Sequence, residues 1–210
     1  MYNPDTKQFG INLLIFKDAR VDANILDETV GNSNWDRDYF EVCGQTYCKV
    51  TIRMEDGTTA YKCDVGTPSN LEAVKGTSSD AFKRACFSWG IARFLYSCPS
   101  IVVYDDVCNI KEKDGKKITY DKFSVAFLDI ADSPIGKKIV GLVIVNETMN
   151  NKIAFTYGTG KDKEKVLKAL VAEKGQSWEK VSKWLDGKGL KSANDMPDNE
   201  YQDCLRRLLV

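Results

Sequence analysis

Lys83 and Arg84 stand side by side in the middle of an apolar stretch that runs from Leu71 to Tyr96. Placed on a helix, the two cations share one flank with Phe87 and Ile91. A cation is rarely buried without a partner, because its desolvation is costly. The pair therefore indicates either snorkelling side chains with internal ion pairs, or a flank that opens onto a groove where an anion binds.

The chemistry that the chain lacks narrows the possible functions. Histidine is absent, which excludes His-based triads, His general bases and His metal ligands. Seven cysteines without a CxxC pair favour neither a disulfide framework nor a zinc site, and are typical of buried thiols in a reducing cytosol. Asp105 and Asp106 lack partners at ligand spacing and indicate a turn. We predict no catalytic residue, no metal and no cofactor.

The composition is that of a soluble globular chain, with 43% hydrophobic and 29% charged residues. No apolar run approaches the roughly 20 residues of a membrane span, and the N-terminus lacks the apolar region of a signal peptide. We therefore expect a cytoplasmic protein with no membrane partner. The formal net charge is zero, so only a local basic surface could attract a polyanion.

Two helices are predicted in the first half of the chain. Asp18 can cap a helix that runs to about Val30 and stops at Gly31. Ser69 and Glu72 have the spacing of a capping box, so the long helix that carries the two cations is expected to begin there.

A three-stranded meander lies between these helices. The predicted strands are Tyr39–Val42, Tyr47–Met54 and Thr58–Val65. A two-residue turn at Asp56-Gly57 would pair residue 52 with 61 and residue 50 with 63. In that register Tyr61 and Cys63 face the core, and Lys49, Arg53 and Lys62 share a basic outer face. The alternative is that outward polar residues are what any half-exposed sheet shows.

The fold class predicted for the whole chain is α+β: a β-β-β-α core, further hairpins and a small C-terminal helical unit. A basic tip at Lys111–Lys117 precedes a strand at Ile118–Ile130, and a hairpin crosses Asn150-Asn151. Strand patterns stop at Gly158–Gly160, where helical spacing takes over. We therefore place the core at residues 1–158 and a helical unit at 161–210.

Part of the chain resembles a known family. The residues from Lys75 to Ala85 read KGTSSDAFKRA, and those from Trp89 to Tyr96 read WGIARFLY. With Lys17-Asp18-Ala19-Arg20 before them and Asp64-Val65-Gly66 in the meander, these motifs resemble the Rad52-type single-strand annealing proteins in their short phage form. The resemblance fades after Pro99, so it covers about half of the chain.

The resemblance implies that protomers join into a homo-oligomeric ring or helical array that holds single-stranded DNA in an outer groove. It implies annealing of complementary strands without ATP, in recombination and double-strand break repair, by a protein that is not an enzyme. Lys83 and Arg84 match groove-floor cations, and Lys75 matches a basic residue on an outer path. Arg20 matches a basic residue near the first helix that also faces the DNA. The residues expected to bind nucleic acid are Arg20, Lys49, Arg53, Lys62, Lys75, Lys83, Arg84 and Arg93. If the chain is phage-encoded, its location is the bacterial host cytoplasm.

This chain also departs from the family pattern. It is neutral overall, and Phe87 stands where a more basic member carries an additional arginine. Binding is therefore expected to be weaker than in basic relatives, or to need a partner. Two other functions remain open: an adaptor of a recombination complex without annealing activity, and a metal-dependent nuclease, for which the acids are scattered.

The C-terminal helices allow two interpretations. They are either a cap that packs on the core, or a docking site for a single-strand binding protein or an exonuclease. Their lysines would attract an acidic tail, and Trp178 and Trp184 could anchor it.

Overall fold

A computed structural model describes residues 2–3, 8–67, 73–134 and 136–209, with side chains from 8–67, 76–134 and 136–209. The chain divides into two compact units. The first unit is Ile15–Leu95, and the second combines Met1–Leu14 with Tyr96–Val210. No helix in the described ranges is long and apolar enough to span a membrane. The α+β class is confirmed.

Strands occur in groups along the described ranges, separated by α1 and α2 and followed by three consecutive helices. The strands are β1 (Tyr2–Asn3), β2 (Gln8–Leu13), β3 (Trp35–Val42), β4 (Gln45–Arg53), β5 (Thr59–Val65), β6 (Ile101–Tyr104), β7 (Lys111–Lys113), β8 (Lys116–Ile118), β9 (Phe123–Ser133), β10 (Gly136–Asn146) and β11 (Lys152–Gly158). The helices are α1 (Ala19–Val30), α2 (Ala73–Ser88), α3 (Lys163–Glu173), α4 (Trp178–Gly187) and α5 (Asp198–Leu209), with short 3-10 turns at Arg93–Ser97, Thr159–Lys161 and Ala193–Asp195.

The first unit is an antiparallel sheet in the order β3-β4-β5, with α2 packed on β4 and β5. Its core contains alternate residues of β4 and one face of α2 and α1. The buried members are Leu26, Cys48, Val50, Ile52, Ala81, Phe82, Ala85 and Cys86. Asp18 caps α1 and Gly31 ends it with a φ of 87°, as the sequence predicted.

The turn between β4 and β5 is one residue longer than predicted. Arg53 pairs with Thr59, and the Met54 N–H donates to the Thr58 carbonyl at 2.8 Å, which leaves a loop of residues 55–57. Gly57 closes this loop with a φ of 83°, a conformation that glycine adopts at little cost. The predicted two-residue turn was wrong because Glu55 lies in the loop with Asp56 and Gly57, so that Met54 and not Glu55 is bonded to Thr58.

This slip of one residue places every side chain of β5 on the opposite face. Lys62 pairs with Val50, so it lies on the helix side of the sheet, as does Asp64. Tyr61, which the sequence placed in the core, is 65% exposed, and Cys63 is also exposed. The predicted basic outer face therefore keeps Lys49 and Arg53 but loses Lys62.

The long helix also ends earlier than predicted. After Ser88 the chain turns at Gly90, which has a φ of 98°, and continues as the 3-10 turn Arg93–Ser97. The apolar pattern continues through the turn, which is why periodicity alone extended the helix to Tyr96. The capping box predicted at Ser69 and Glu72 lies outside the described residues.

The second unit is built on an antiparallel meander in the order β11-β10-β9. Asn150 and Asn151 connect β10 to β11 with φ values of 56° and 53°, so the predicted hairpin is confirmed. The predicted strand Ile118–Ile130 is interrupted, because β8 ends at Ile118 and β9 begins at Phe123. Asp121 holds the intervening turn by accepting from the Asn109 N–H at 2.8 Å.

The three C-terminal helices pack on this meander. They share one core with β9 and β10, whose buried members are Ala126, Phe127, Val143, Val145, Val166, Leu167, Leu170, Leu185, Ala193, Met196, Tyr201 and Leu205. The predicted division near residue 160, into a core and a separate helical unit, stays a prediction. In the structure, the helices bury their apolar faces against the sheet on the other side of that boundary.

Thiol labelling tests the register of the meander. Cys63 lies exposed on the outer face, whereas Cys48 and Cys86 are fully buried. Burial raises the pKa of Cys48 to about 11 and that of Cys86 to about 12. Since the thiolate is the reactive form, Cys63 should react rapidly with a thiol reagent at pH 8, and Cys48 and Cys86 only after unfolding. The reaction is followed by mass spectrometry of labelled peptides.

The variant Cys63→Ser is the control and should remove one rapidly labelled site. Protection of Cys63 in the native protein, at the level of Cys48, would contradict the observed register.

Candidate nucleic-acid interface

Helix α2 is held in one rotation on the sheet. Phe82 is fully buried and stacks on Trp35 of β3, with ring centroids 6.0 Å apart and planes inclined by 19°. At the other end, the Trp89 indole N–H donates to the Val50 carbonyl at 3.1 Å. With this face fixed inward, the two cations in the middle of the helix lie on its two flanks. The prediction that they share one flank was wrong, because Arg84 points to β5 and Lys83 to the start of α1.

Arg84 lies on the flank next to β5. Its Nε is 3.3 Å from Oδ1 of Asp64, and its side chain is partly exposed. Lys62, on the same side of β5, has its ammonium 5.7 Å from the centre of the Trp89 ring. These residues form a helix-edge cluster in which two cations face one acid, so its formal charge is positive.

Lys83 belongs to a second cluster, at the start of α1. Its positive charge favours the ionised forms of both carboxylates, with a smaller effect on the pKa than that of the Arg20 hydrogen bonds at Asp18 and of burial at Asp22. Asp22 is buried and pairs with Lys17. Burial nonetheless raises the pKa of Asp22, because desolvation opposes the charged carboxylate more than Lys17 favours it.

Arg20 completes this α1-start cluster. Its guanidinium is bidentate to Asp18, with Nε 3.0 Å from Oδ1 and Nη2 2.9 Å from Oδ2, and these bonds hold the Asp18 pKa well below its usual range. The Arg20 side chain is 87% exposed. An exposed pair of this kind contributes little to stability, so the guanidinium can exchange its carboxylate for a phosphate at small cost. Lys17, Arg20 and Lys83 together outnumber the two acids.

Arg37 is an exposed cation that the sequence reasoning missed. It pairs with Val50 across β3 and β4, so it lies on the helix side of the sheet, with its guanidinium carbon 4.9 Å from the centre of the Phe82 ring. The prediction started this strand at Tyr39, although it begins at Trp35. The alternation of Trp35, Arg37 and Tyr39 was the signal that could have found it.

The remaining predicted cations are divided among different surfaces. Lys49 and Arg53 lie on the outer face, where Lys49 pairs with Asp38 at 2.9 Å. Arg93 donates to the carbonyls of Phe87 at 2.8 Å and Ser88 at 2.6 Å, so it caps the end of α2. The backbone of Lys75 is helical, but its side chain lies outside the described residues.

The two C-terminal tryptophans have different environments. Trp178 is half-buried against the second core. Trp184 is exposed and lines a cleft of about 530 Å³ between α3, α4 and α5. The other lining residues are Leu167, Gln176, Lys180, Val181, Lys188, Glu200, Asp203, Cys204, Arg207 and Leu208.

The acids in the part of the chain that the structure describes do not gather into a metal site. Within the described ranges, no group of three or more His, Cys, Asp or Glu residues could hold a metal ion. The surfaces described above instead offer ammonium and guanidinium donors, which suit phosphate recognition.

A comparison with models of protein families agrees with the resemblance read from the sequence motifs. Neither the curated proteins nor the solved structures contain a match to this chain. The model of the Rad52/22 family double-strand break repair protein matches residues 17–115. This range contains both basic clusters and all of the first unit except Ile15 and Phe16. Residues 17–115, just under half of the chain, are therefore similar to the Rad52/22 family of double-strand break repair proteins, and this similarity supports a role in DNA recombination and repair.

Proposed function

We propose that this protein binds single-stranded DNA and anneals complementary strands without ATP, as a homo-oligomer. The observation that carries the proposal is the placement of Lys83 and Arg84 on the flanks of a helix inside the family-matched segment. Arg20, Arg37 and Lys62 extend the basic surface on either side of the helix.

Annealing requires no bond to be broken and no nucleotide to be hydrolysed. Two polyanions that repel each other must be brought together while their base edges stay free. Cations that neutralise phosphates release counterions, which supplies affinity and a steep dependence on salt. Binding through the backbone leaves the bases accessible and the binding largely independent of sequence. A strand longer than one protomer's footprint needs neighbouring protomers, so oligomerisation is part of the proposed activity.

The ion pairs on this surface explain how a neutral chain can still bind DNA. Arg84 is paired with Asp64 and Arg20 with Asp18, and all four side chains are at least partly exposed. Each pair is weak in water, and a phosphate that displaces the carboxylate offers the same charge. The acids therefore lower the affinity without blocking the site.

The variant Lys83→Ala with Arg84→Ala tests this surface. It should weaken binding to a fluorescent oligothymidylate at least tenfold at moderate salt and flatten the plot of log K against log salt by about 1.4, which is the loss of two phosphate contacts. The matched control is Lys137→Ala with Lys138→Ala, which removes the same charge from exposed positions of β10. Unchanged affinity and slope in the Lys83/Arg84 variant would contradict the proposal.

The variant Asp64→Asn should change the affinity for DNA in the opposite direction at the same surface. It releases Arg84 from its carboxylate, and asparagine can still accept the hydrogen bond that Asp64 takes from the Val65 N–H at 2.8 Å. Affinity for the oligonucleotide should rise by a few-fold. A weaker complex would show that Asp64 orients Arg84 instead of competing with the DNA.

For the second unit we propose that the cleft at Trp184 docks the acidic tail of a single-strand binding protein. Charge complementarity supports this occupant. Lys188 is engaged with Glu200 at 3.2 Å, and Asp203 with Arg206 at 3.1 Å. Among the described residues, Lys180 and Arg207 form no ion pair, so the cleft offers an indole, apolar side chains and unbalanced positive charge.

Docking is tested on the full chain, because the C-terminal helices share a core with β9 and β10 and their deletion would expose it. Trp184→Ala, and separately Lys180→Glu with Arg207→Glu, should weaken the binding of a synthetic acidic peptide with apolar C-terminal residues at least tenfold. Lys183→Glu with Lys191→Glu is the control, since neither residue lines the cleft. Equal weakening by the control would show nonspecific attraction and contradict docking.

A further inference from the structure

The ribbon formed by β7 and β8 separates its charges between two faces. Its register pairs Lys111 with Ile118, Glu112 with Lys117 and Lys113 with Lys116. Residues directly opposite each other in an antiparallel pair share a face, and successive residues alternate. One face therefore carries Glu112 and Lys117, and the other face carries three lysines.

The face with Glu112 and Lys117 is neutral and adjoins β2. The two side chains form an ion pair of 2.6 Å, and the Lys117 ammonium lies 4.5 Å from the centre of the Phe9 ring on β2. This face attaches the ribbon to the rest of the second unit.

The opposite face, which we call the lysine face, consists of Lys111, Lys113, Lys116 and the half-buried Ile118. All three lysines are exposed, and neither strand contributes an acid to this face. The nearby Asp121 is engaged by amide donors, since its carboxylate accepts from the Asn109 amide and from the Asn146 amide at 2.7 Å.

An exposed aromatic ring adjoins the lysine face. Tyr120 is 67% exposed, and the Lys111 ammonium lies 5.8 Å from the centre of its ring. Proteins that bind single-stranded nucleic acids combine cations with an accessible aromatic ring, since the cations hold phosphates while a base stacks on the ring. An acidic peptide would be held by the lysines but would gain little from the ring.

We propose that the lysine face and Tyr120 form a second contact for single-stranded DNA, in a different unit from α2. The lysines contact phosphates. Lys111 and Lys113 are spaced along β7 by the repeat of about 6.6 Å between residues on the same face, and Lys116 lies opposite Lys113. This inference rests on the proposed function, because it names a further surface for the same substrate. It lets one chain hold two segments of single strand, or one long segment at two places.

The test replaces the three lysines with glutamine, which keeps side-chain length and removes charge: Lys111→Gln, Lys113→Gln and Lys116→Gln. Binding of a fluorescent oligothymidylate is measured across a salt series. The slope of log K against log salt should flatten by about 2, the loss of three phosphate contacts at about 0.7 each. Lys137→Gln, Lys138→Gln and Lys161→Gln form the matched control from exposed positions of the same unit and should leave the slope unchanged. If the triple variant does not fold, Lys113→Gln alone should flatten the slope by about 0.7.

The variant Tyr120→Ala distinguishes nucleic acid from an acidic protein. It should weaken oligothymidylate binding about tenfold, and Tyr120→Phe should restore it, because stacking uses the ring. If Tyr120→Ala has no effect on oligothymidylate and the lysine variant weakens polyglutamate and oligothymidylate equally, the face is a general polyanion surface and the proposal is overturned.

The proposal and the proposed function fail in different ways. Wild-type binding and slope in the ribbon variant, with weakened binding in the Lys83/Arg84 variant, would overturn the second contact alone. A wild-type protein that does not bind oligothymidylate would overturn both.

Discussion

The burial of Phe82 between α2 and the sheet is the contact on which the candidate interface depends. Its ring stacks on that of Trp35, and the guanidinium carbon of Arg37 lies 4.9 Å from its centre. Because successive helical residues differ by 100°, fixing Phe82 inward also fixes the directions of the two cations that follow it. Lys83 then lies near the α1-start cluster, and Arg84 reaches Asp64 on β5. A buried aromatic residue thus positions charges that it does not touch.

The electrostatics of the surface follow from this placement. Neither flank of α2 is purely basic, since each carries acids that partly balance the cations. Such an arrangement limits the repulsion between cations when no DNA is present, and it leaves a small positive excess on each flank. The neutrality of the chain is therefore compatible with a phosphate-binding surface, because only the charges facing the phosphates contribute to counterion release.

The helices with clear caps and the pattern of strands could be predicted from the sequence. Features that depend on a single residue could not. Asp18 and Gly31 marked both ends of α1, and Asn150-Asn151 marked a hairpin. The loop at Gly57 could be two or three residues long on sequence grounds, and that choice decided which face Lys62 occupies. Arg37 was missed because the polar start of β3 hides its alternation. Arg93 looked like a free cation because its carbonyl partners exist only once the helix has ended.

The central claim, annealing through the α2 surface, is tested most directly by the pairing of two complementary oligonucleotides, one fluorescent and one quenching, without ATP or metal. The wild type should pair them faster than they pair spontaneously, the acceleration should fade with salt, and Lys83→Ala with Arg84→Ala should abolish it. No acceleration by a folded, oligomeric wild type would contradict the account and indicate an adaptor role. Metal-dependent shortening of the strands would indicate a nuclease instead.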